Sequence, residues 1–341
     1  MSRNVREEPL RIGILGCGAF AQRRLLTCLN QTPEVKVISI QKRDADEARV
    51  VARRFGVPRS YSSREEMLAD PELEAVFICT ANQCHEEDAI ACAQAGKDTI
   101  CEKPLSVNSE SVRRMIHAFQ EADRQLLVGH SCRFKPAVRK AREYVRDGRL
   151  GQVRAIRGFF NIIPPQYNWR HQRENAGGAV YDVGVHVIDF FRFVLGQEIV
   201  SVLAAADVDT MRGEGRADNS ARIIVRMESG VLGEINVSFD QFPRNGFEVV
   251  GDKALLQGWM TFRQSNEPGE SLRLCSEVGF SEVPLNQANI YVEELRHVAN
   301  VFANGEPTIL GSEVGLANQR VLDAVFRSIE EKREIAVETA D

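Results

Sequence analysis

The sequence predicts an α/β domain on a doubly wound parallel sheet, followed by a second domain of consecutive strands closed by helices. Three observations carry this. An apolar run with Ile12, Ile14 and Leu15 ends in the glycine turn Gly16-x-Gly18-x-x-Ala21 and passes into a helical stretch over 20–30. Apolar strands then alternate with helical stretches through residue 129, joined by short connections. From Ile199 onward the helical period gives way to strand alternation, with two long helical stretches at the end. A chain of 341 residues has room for two domains, and the boundary is placed between 1–129 and 130–341.

Composition bounds the class. The chain is 43% hydrophobic and 27% charged, which suits a globular enzyme. A net charge of −5 gives no reason to expect nucleic acid or an anionic membrane as partner. No apolar run approaches the length of a membrane span. Residues 1–9 are polar and charged, so no signal peptide is expected. The eight cysteines form no C-x-x-C pair, and several, such as Cys79 and Cys101, lie inside apolar runs. That is the usage of reduced, buried thiols in a cytoplasmic protein. Cys84 beside His85 has no further ligands at metal spacing, so no metal is expected.

The first βα unit sets the first expectation of chemistry. Gly16 allows a tight turn, Gly18 lets a pyrophosphate approach the backbone, and Ala21 keeps the helix close to the strand. The N–H groups of Gly18, Ala19 and Phe20, at a positive helix end, are the candidate phosphate donors. A strand over 35–40 and a helix over 44–54 follow. An Asp or Glu just past this strand would bind the ribose hydroxyls of NAD. The chain has Gln41-Lys42-Arg43 there instead. Two cations suit a 2′-phosphate, so NADP(H) is expected over NAD(H). The other reading makes Lys42 and Arg43 a solvated loop and Asp44 a helix cap.

The alternation continues with a short strand at 60–61, a helix at 64–69 and a buried strand at 75–78. That strand ends in Thr80-Ala81-Asn82-Gln83-Cys84-His85. A helix to residue 95, closed by Gly96, leads to a strand over 98–101 and the tripeptide Glu102-Lys103-Pro104. A helix over 106–123 and a strand over 126–129 complete the sheet. Ligands of such sheets bind at the carboxyl ends of the strands. The groups at those ends are Gly16–Gly18, Lys42, Thr80–His85, Glu102–Pro104 and His130.

Beyond residue 130 a helix is expected over 136–147 and a strand over 151–160. A loop over 162–175 carries Pro164-Pro165, Tyr167 and Trp169-Arg170. Aromatic and cationic groups together suit a polar ring substrate, and the loop is long enough for a wall or lid. Residues 181–195 are apolar nearly all round, so this helix should be buried. Asp182, His186 and Asp189 fall on one stripe of it. Buried ionisable groups are costly unless paired or used. Gly177-Gly178 ahead of the helix would allow the backbone to approach a ligand. Strands over 219–227, 234–239, 247–250, 254–259 and 271–274 build a sheet, and helices over 287–304 and 312–332 cover one of its faces.

Taken together, Gly16-x-Gly18-x-x-Ala21, Thr80-x-Asn82-x-x-His85, Glu102-Lys103-Pro104 and Gly177-Gly178-x-x-x-Asp182-x-Gly184-x-His186 resemble the Gfo/Idh/MocA oxidoreductases, over nearly the whole chain. The resemblance implies a Rossmann domain followed by an α+β domain with a large, mostly antiparallel sheet. It implies a nicotinamide-dependent dehydrogenase acting on a CH–OH carbon of a sugar, cyclic polyol or related hydroxy compound. Lys103 matches the family's catalytic lysine, and an ammonium there can favour an alkoxide-like transition state. His186 is the expected proton donor or acceptor, with Asp182 orienting it and Asp189 structural. Cofactor contacts are expected from Thr80, Asn82, His85, Glu102 and Lys103. Substrate contacts are expected from Lys103, Arg133, Trp169, Arg170, Asp182 and His186. The resemblance implies a homodimer or homotetramer formed through the open sheet face. The family often has a third glycine where this chain has Ala176. Two alternatives stay open: an NAD-dependent glycosidase working by transient oxidation, and a dinucleotide-binding regulatory protein without catalysis.

Overall fold

In the computed structural model the residues described are 8–164, 169–208, 217–262 and 269–338. The apolar runs of the first half become six parallel strands: β1 (Leu10–Leu15), β2 (Val35–Gln41), β3 (Arg59–Tyr61), β4 (Ala75–Ile78), β5 (Asp98–Glu102) and β6 (Leu126–Gly129). Their order is β3-β2-β1-β4-β5-β6, so the winding reverses between β1 and β4. Every residue of β4 and β6 is buried, as expected for strands covered on both faces. The intervening helices are α1 (Ala45–Phe55), α2 (Arg64–Leu68), α3 (His85–Gln94) and α4 (Ser109–Glu121). Asp44 caps α1 by accepting from the Asp46 and Glu47 amides, and Gly56 closes it at φ +68°.

The stretch after the glycine turn departs from expectation. Instead of an α-helix over 20–30, the chain makes a π-helical turn, Ala21–Leu25, and then a 3-10 segment, Leu26–Gln31. Side-chain donors compete for its carbonyls. Thr27 Oγ1 donates to Arg23 O (2.9 Å), Cys28 Sγ to Arg24 O (2.8 Å) and Thr32 Oγ1 to Cys28 O (3.1 Å). Such bonds offer the backbone an alternative to regular helical pairing.

By contacts the chain divides into two units: Met1–Gly129 with Ile290–Leu316, and His130–Asn289 with Ala317–Asp341. The first unit therefore includes α7 (Ile290–Asn304) and a return segment that the sequence reading kept inside 130–341. Val128 N donates to Leu310 O at 2.8 Å, which ties this segment to β6.

The second unit holds α5 (Pro136–Arg146), β7 (Val153–Asn161), α6 (Val185–Leu195), β8 (Ile199–Val208), β9 (Asp218–Met227), β10 (Leu232–Ser238), β11 (Arg244–Gly251), β12 (Ala254–Trp259), β13 (Ser271–Ser276), β14 (Gly279–Glu282) and β15 (Ile335–Ala336). The strands form one sheet, β14-β13-β12-β11-β7-β10-β9-β8-β15. Its pairings are antiparallel except for β10 with β7. In β9 the predicted alternation holds: Ala221, Ile223, Val225 and Met227 are all buried. α6 lies against this sheet where two glycines leave room. A Cβ on Gly158 would come within 2.3 Å of Val187, and one on Gly233 within 2.6 Å of Phe191. Strands β14 and β15 escape the sequence reading because one is fully exposed and the other has two residues. The helix α8 (Ser312–Glu331) follows the predicted pattern. No described helix is long and apolar enough to cross a membrane.

Candidate active site

The glycine turn separates its residues by function. Gly16 sits at φ +78°, and a Cβ there would stand 2.8 Å from Thr80 N and 2.9 Å from Thr80 Cα. Glycine is required by packing as well as by conformation. Gly18 is different: a Cβ there would meet nothing nearer than 3.9 Å. Its own N–H donates to Gly16 O (2.7 Å). Ala21 is fully buried, Ala19 is exposed, and Phe20 meets Tyr291 edge-on at 5.8 Å. The open backbone at Gly18, at the start of a helical run, is the cradle a pyrophosphate needs.

At the end of β2, Gln41 stands at the buried position and holds the turn. Its Oε1 accepts from Gly16 N (3.3 Å) and its Nε2 donates to Ser62 O (3.0 Å). The sequence reading named Gln41 only as a missing carboxylate. Lys42 places Nζ 3.4 Å from Cys17 O and 3.1 Å from Glu47. Arg43 is exposed. Burial pushes the Cys17 thiol up to about 11, against the pull of Lys42.

Thr80 donates to Asp88 Oδ2 (2.7 Å), and Asp88 is held in turn by Arg64 (2.9 Å). Asn82 is buried in a 3-10 turn, Asn82–Cys84. His85, expected to touch cofactor, is fully buried. Its Nδ1 lies 2.9 Å from Pro104 O and its Nε2 3.2 Å from Thr80 O. The ring braces the ends of β4 and β5 against each other instead of facing outward. Burial lowers its pKa, with the two carbonyls opposing. Glu102 Oε2 accepts from the Lys103 amide at 3.3 Å, and burial raises the Glu102 carboxyl to about 7, against the Lys103 charge.

In the second unit the Gly177-Gly178 turn serves the chain's own backbone. A Cβ on Gly177 would strike Arg170 O at 2.5 Å, and one on Gly178 would reach Asp218 Oδ1 at 2.1 Å. Gly178 N donates to Arg170 O (2.7 Å). Asp218, which the sequence did not single out, accepts from Val180 N at 2.8 Å, and burial raises it to about 6. Residues Val180–Gly184 form a π-helical turn before α6. Asp182 lies on that turn and His186 on α6, so the predicted stripe of one regular helix is broken. Asp182 Oδ2 accepts from Arg170 Nε at 2.9 Å. His186 is buried against Phe160 (5.8 Å between centroids) and His130 (6.4 Å).

Arg133 was expected to contact substrate. It is buried, and donates to Asp189 through Nε (2.8 Å) and Nη2 (2.6 Å). Asn318 Nδ2 donates to Asp189 Oδ1 (2.9 Å) and to His130 Nε2 (2.8 Å), while its Oδ1 accepts from Arg192 (2.6 Å). His130 then carries its proton on Nδ1, which faces Asp189 Oδ2 at 3.8 Å. Burial alone would push Asp189 up, but Arg133, His130 and Asn318 outweigh it and hold the group well below the usual carboxylate range. Pro165, Tyr167 and the Trp169 side chain lie outside the described residues.

Two family models match the chain. The Gfo/Idh/MocA oxidoreductase family, NAD-binding Rossmann fold, covers residues 10–130, and the Gfo/Idh/MocA C-terminal domain covers 138–257. The chain is 32% identical over 309 residues to a 1,5-anhydro-D-fructose reductase of Ensifer adhaerens, covering 89% of this chain and 91% of that protein. It is 29% identical to a myo-inositol 2-dehydrogenase of Thermotoga maritima, over 96% of this chain and 99% of that one. An aldose–aldose oxidoreductase from Caulobacter crescentus, solved with glycerol, shares the fold at TM-score 0.90 and 24% identity, covering 96% of this chain and 99% of that one. With the open glycine cradle in place, these matches show that the chain belongs to the Gfo/Idh/MocA family and is an NAD(P)-dependent oxidoreductase.

Proposed function

We propose that the chain moves a hydride between NADP(H), preferred over NAD(H), and a CH–OH carbon of a sugar, cyclic polyol or related hydroxy compound. The observation that carries this is the glycine turn left open at Gly18, with Lys103 held by its backbone at the carboxyl end of a strand of the same sheet. The names of the relatives, a sugar-derivative reductase and an inositol dehydrogenase, support the substrate class. Lys42 beside Cys17 O, with Arg43 next to it, supports a 2′-phosphate.

A bound nicotinamide supplies the hydride acceptor or donor. Lys103 polarises the reacting oxygen, and His186 takes or returns the hydroxyl proton. Asp182 orients His186 in this scheme and is itself held by Arg170 Nε. Thr80, Asn82 and Glu102 line the cofactor side, and Arg170 belongs to the substrate wall. Arg133 has no substrate role in this scheme, because its guanidinium is given to Asp189. Buried cysteines inside apolar strands and helices, such as Cys92 and Cys101, support a reducing, cytoplasmic setting. The outer face of the nine-stranded sheet, with half-exposed Leu203 and Ile224 paired across β8 and β9, supports a homo-oligomer contact.

The test is a sugar and polyol panel assayed with NADPH and NADH. Lys103→Met and His186→Asn should each lower kcat by about 100-fold or more, with cofactor Kd within about twofold of wild type. Unchanged turnover in both variants rejects the assignment. Release of sugar without net cofactor consumption would replace it with the glycosidase reading.

A further inference from the structure

A buried acid on α7 has no role in the scheme above. Glu294 is fully buried, and neither carboxyl oxygen has a hydrogen-bond partner among the described residues. Leaving such a group unsatisfied is expensive, and leaving it charged more so. Its electrostatic neighbour is Glu102, at the end of β5. Glu102 presents the complementary gap. Its Oε2 accepts from the Lys103 amide, while its Oε1 is sealed from solvent and has no donor among the described residues. Gly129 on β6 makes room for that oxygen, since a Cβ there would stand 3.1 Å from Glu102 Oε1.

Two buried carboxyls that repel each other resist ionising together, and a single shared proton relieves both. The other ionisable groups nearby do not compete for it. Cys79 after β4, Cys17 after β1 and Cys101 on β5 are thiols that burial keeps protonated. Lys103 acts on Glu102, which favours the charge there and leaves the proton to Glu294. Tyr291 lies one turn earlier on α7.

We propose that Glu294 is a positioning residue: as a neutral acid it donates its O–H to Glu102 Oε1 and so fixes the carboxylate that holds the Lys103 amide. This rests on the reading of Lys103 as the catalytic cation. α7 thereby reaches the reaction through Glu102 and the backbone of Lys103, with no contact to substrate.

The proton is tested without catalysis. Infrared spectra of the full-length protein at pH 9 should contain the carbonyl stretch of a buried protonated carboxyl. The band should vanish in Glu294→Gln and persist in Glu102→Gln. A wild-type spectrum without the band, or a band that survives Glu294→Gln, overturns the proposal. Kinetics test the positioning. Glu294→Gln keeps a donor and should hold kcat within about threefold, whereas Glu294→Leu should lose about tenfold or more with its melting temperature kept or raised. A structural role alone would favour leucine, so wild-type kcat in Glu294→Leu refutes the positioning role. If no panel substrate turns over, the functional reading fails, and the infrared band still decides where the proton sits.

Discussion

Gly16→Ala and Gly18→Ala should separate the two jobs of the glycine turn. At Gly16 an alanine must adopt φ +78°, which costs about 1–2 kcal/mol for a residue with a Cβ. The new methyl also stands 2.8 and 2.9 Å from backbone atoms of Thr80. Backbone cannot swing aside as a side chain can, and overpacking of this kind costs about 1–3 kcal/mol. The sum, about 2–5 kcal/mol, lowers the melting temperature by about 5–15 °C for a domain of this size. At Gly18 the methyl meets nothing within 3.9 Å, so the melting temperature without cofactor should move by no more than about 1 °C. In the proposed binding mode that methyl takes up space the pyrophosphate needs. NADPH binding, followed by fluorescence titration, should weaken by about tenfold or more, equivalent to about 1.4 kcal/mol. The reasoning is refuted if Gly18→Ala melts as early as Gly16→Ala, or if it binds NADPH as wild type does.

Three further outcomes follow from the buried groups and the β2 end. Asp189→Asn leaves the Arg133 guanidinium buried without its carboxylate and should cost about 3–5 kcal/mol in urea denaturation. Because the folded pKa of Asp189 is depressed, its contribution is present above about pH 4 and lost as pH falls; a gap to wild type that does not shrink on acidification refutes this. Asp218 has the opposite sign. Its folded pKa is raised from 3.8 to about 6, so wild type loses stability as pH rises through that window. Asp218→Asn should gain on wild type by up to about 3 kcal/mol between pH 4 and 7, and a pH-independent difference would count against it. Lys42→Asp should shift the ratio of NADPH to NADH dissociation constants toward NADH by about tenfold or more; an unchanged ratio removes Lys42 from cofactor choice.

What was legible in the sequence was local. The continuous apolar runs of β4 and β6 give their limits to the residue, because a strand buried on both faces has no polar position to blur it. Asp44 marks the start of α1 by cap chemistry alone. The π-helical turns at Ala21–Leu25 and Val180–Gly184 were not legible, since a periodicity search assumes one regular helix throughout. Nor were the polar residues that hold the site. Gln41 ends a strand, Asp218 begins one, Asn318 lies within α8, and Glu294 follows Glu293 in what reads as a solvated charged face. Each gains its meaning from a partner dozens of positions away or more, as Asp218 does from Val180. Gly177 and Gly178 were legible as close-approach positions. What approaches them in the structure is the chain itself.

The polar groups at the strand ends divide by what surrounds them. His85 and Glu102 flank Lys103 at the ends of β4 and β5, and each sets at least one polar atom against backbone. Glu102 Oε2 takes the Lys103 N–H, and His85 Nδ1 lies against the Pro104 carbonyl. Lys103 therefore sits between two anchored peptide groups, so its backbone has little freedom left to lose when substrate binds. In the proposed scheme the ammonium on its four-carbon stem follows an oxygen whose charge changes during the reaction. Rigid support beneath a catalytic group reduces the entropy that must be given up at the transition state. In the proposed scheme two buried residues with no contact to substrate, His85 and Glu294, thus bear on the placement of one cation.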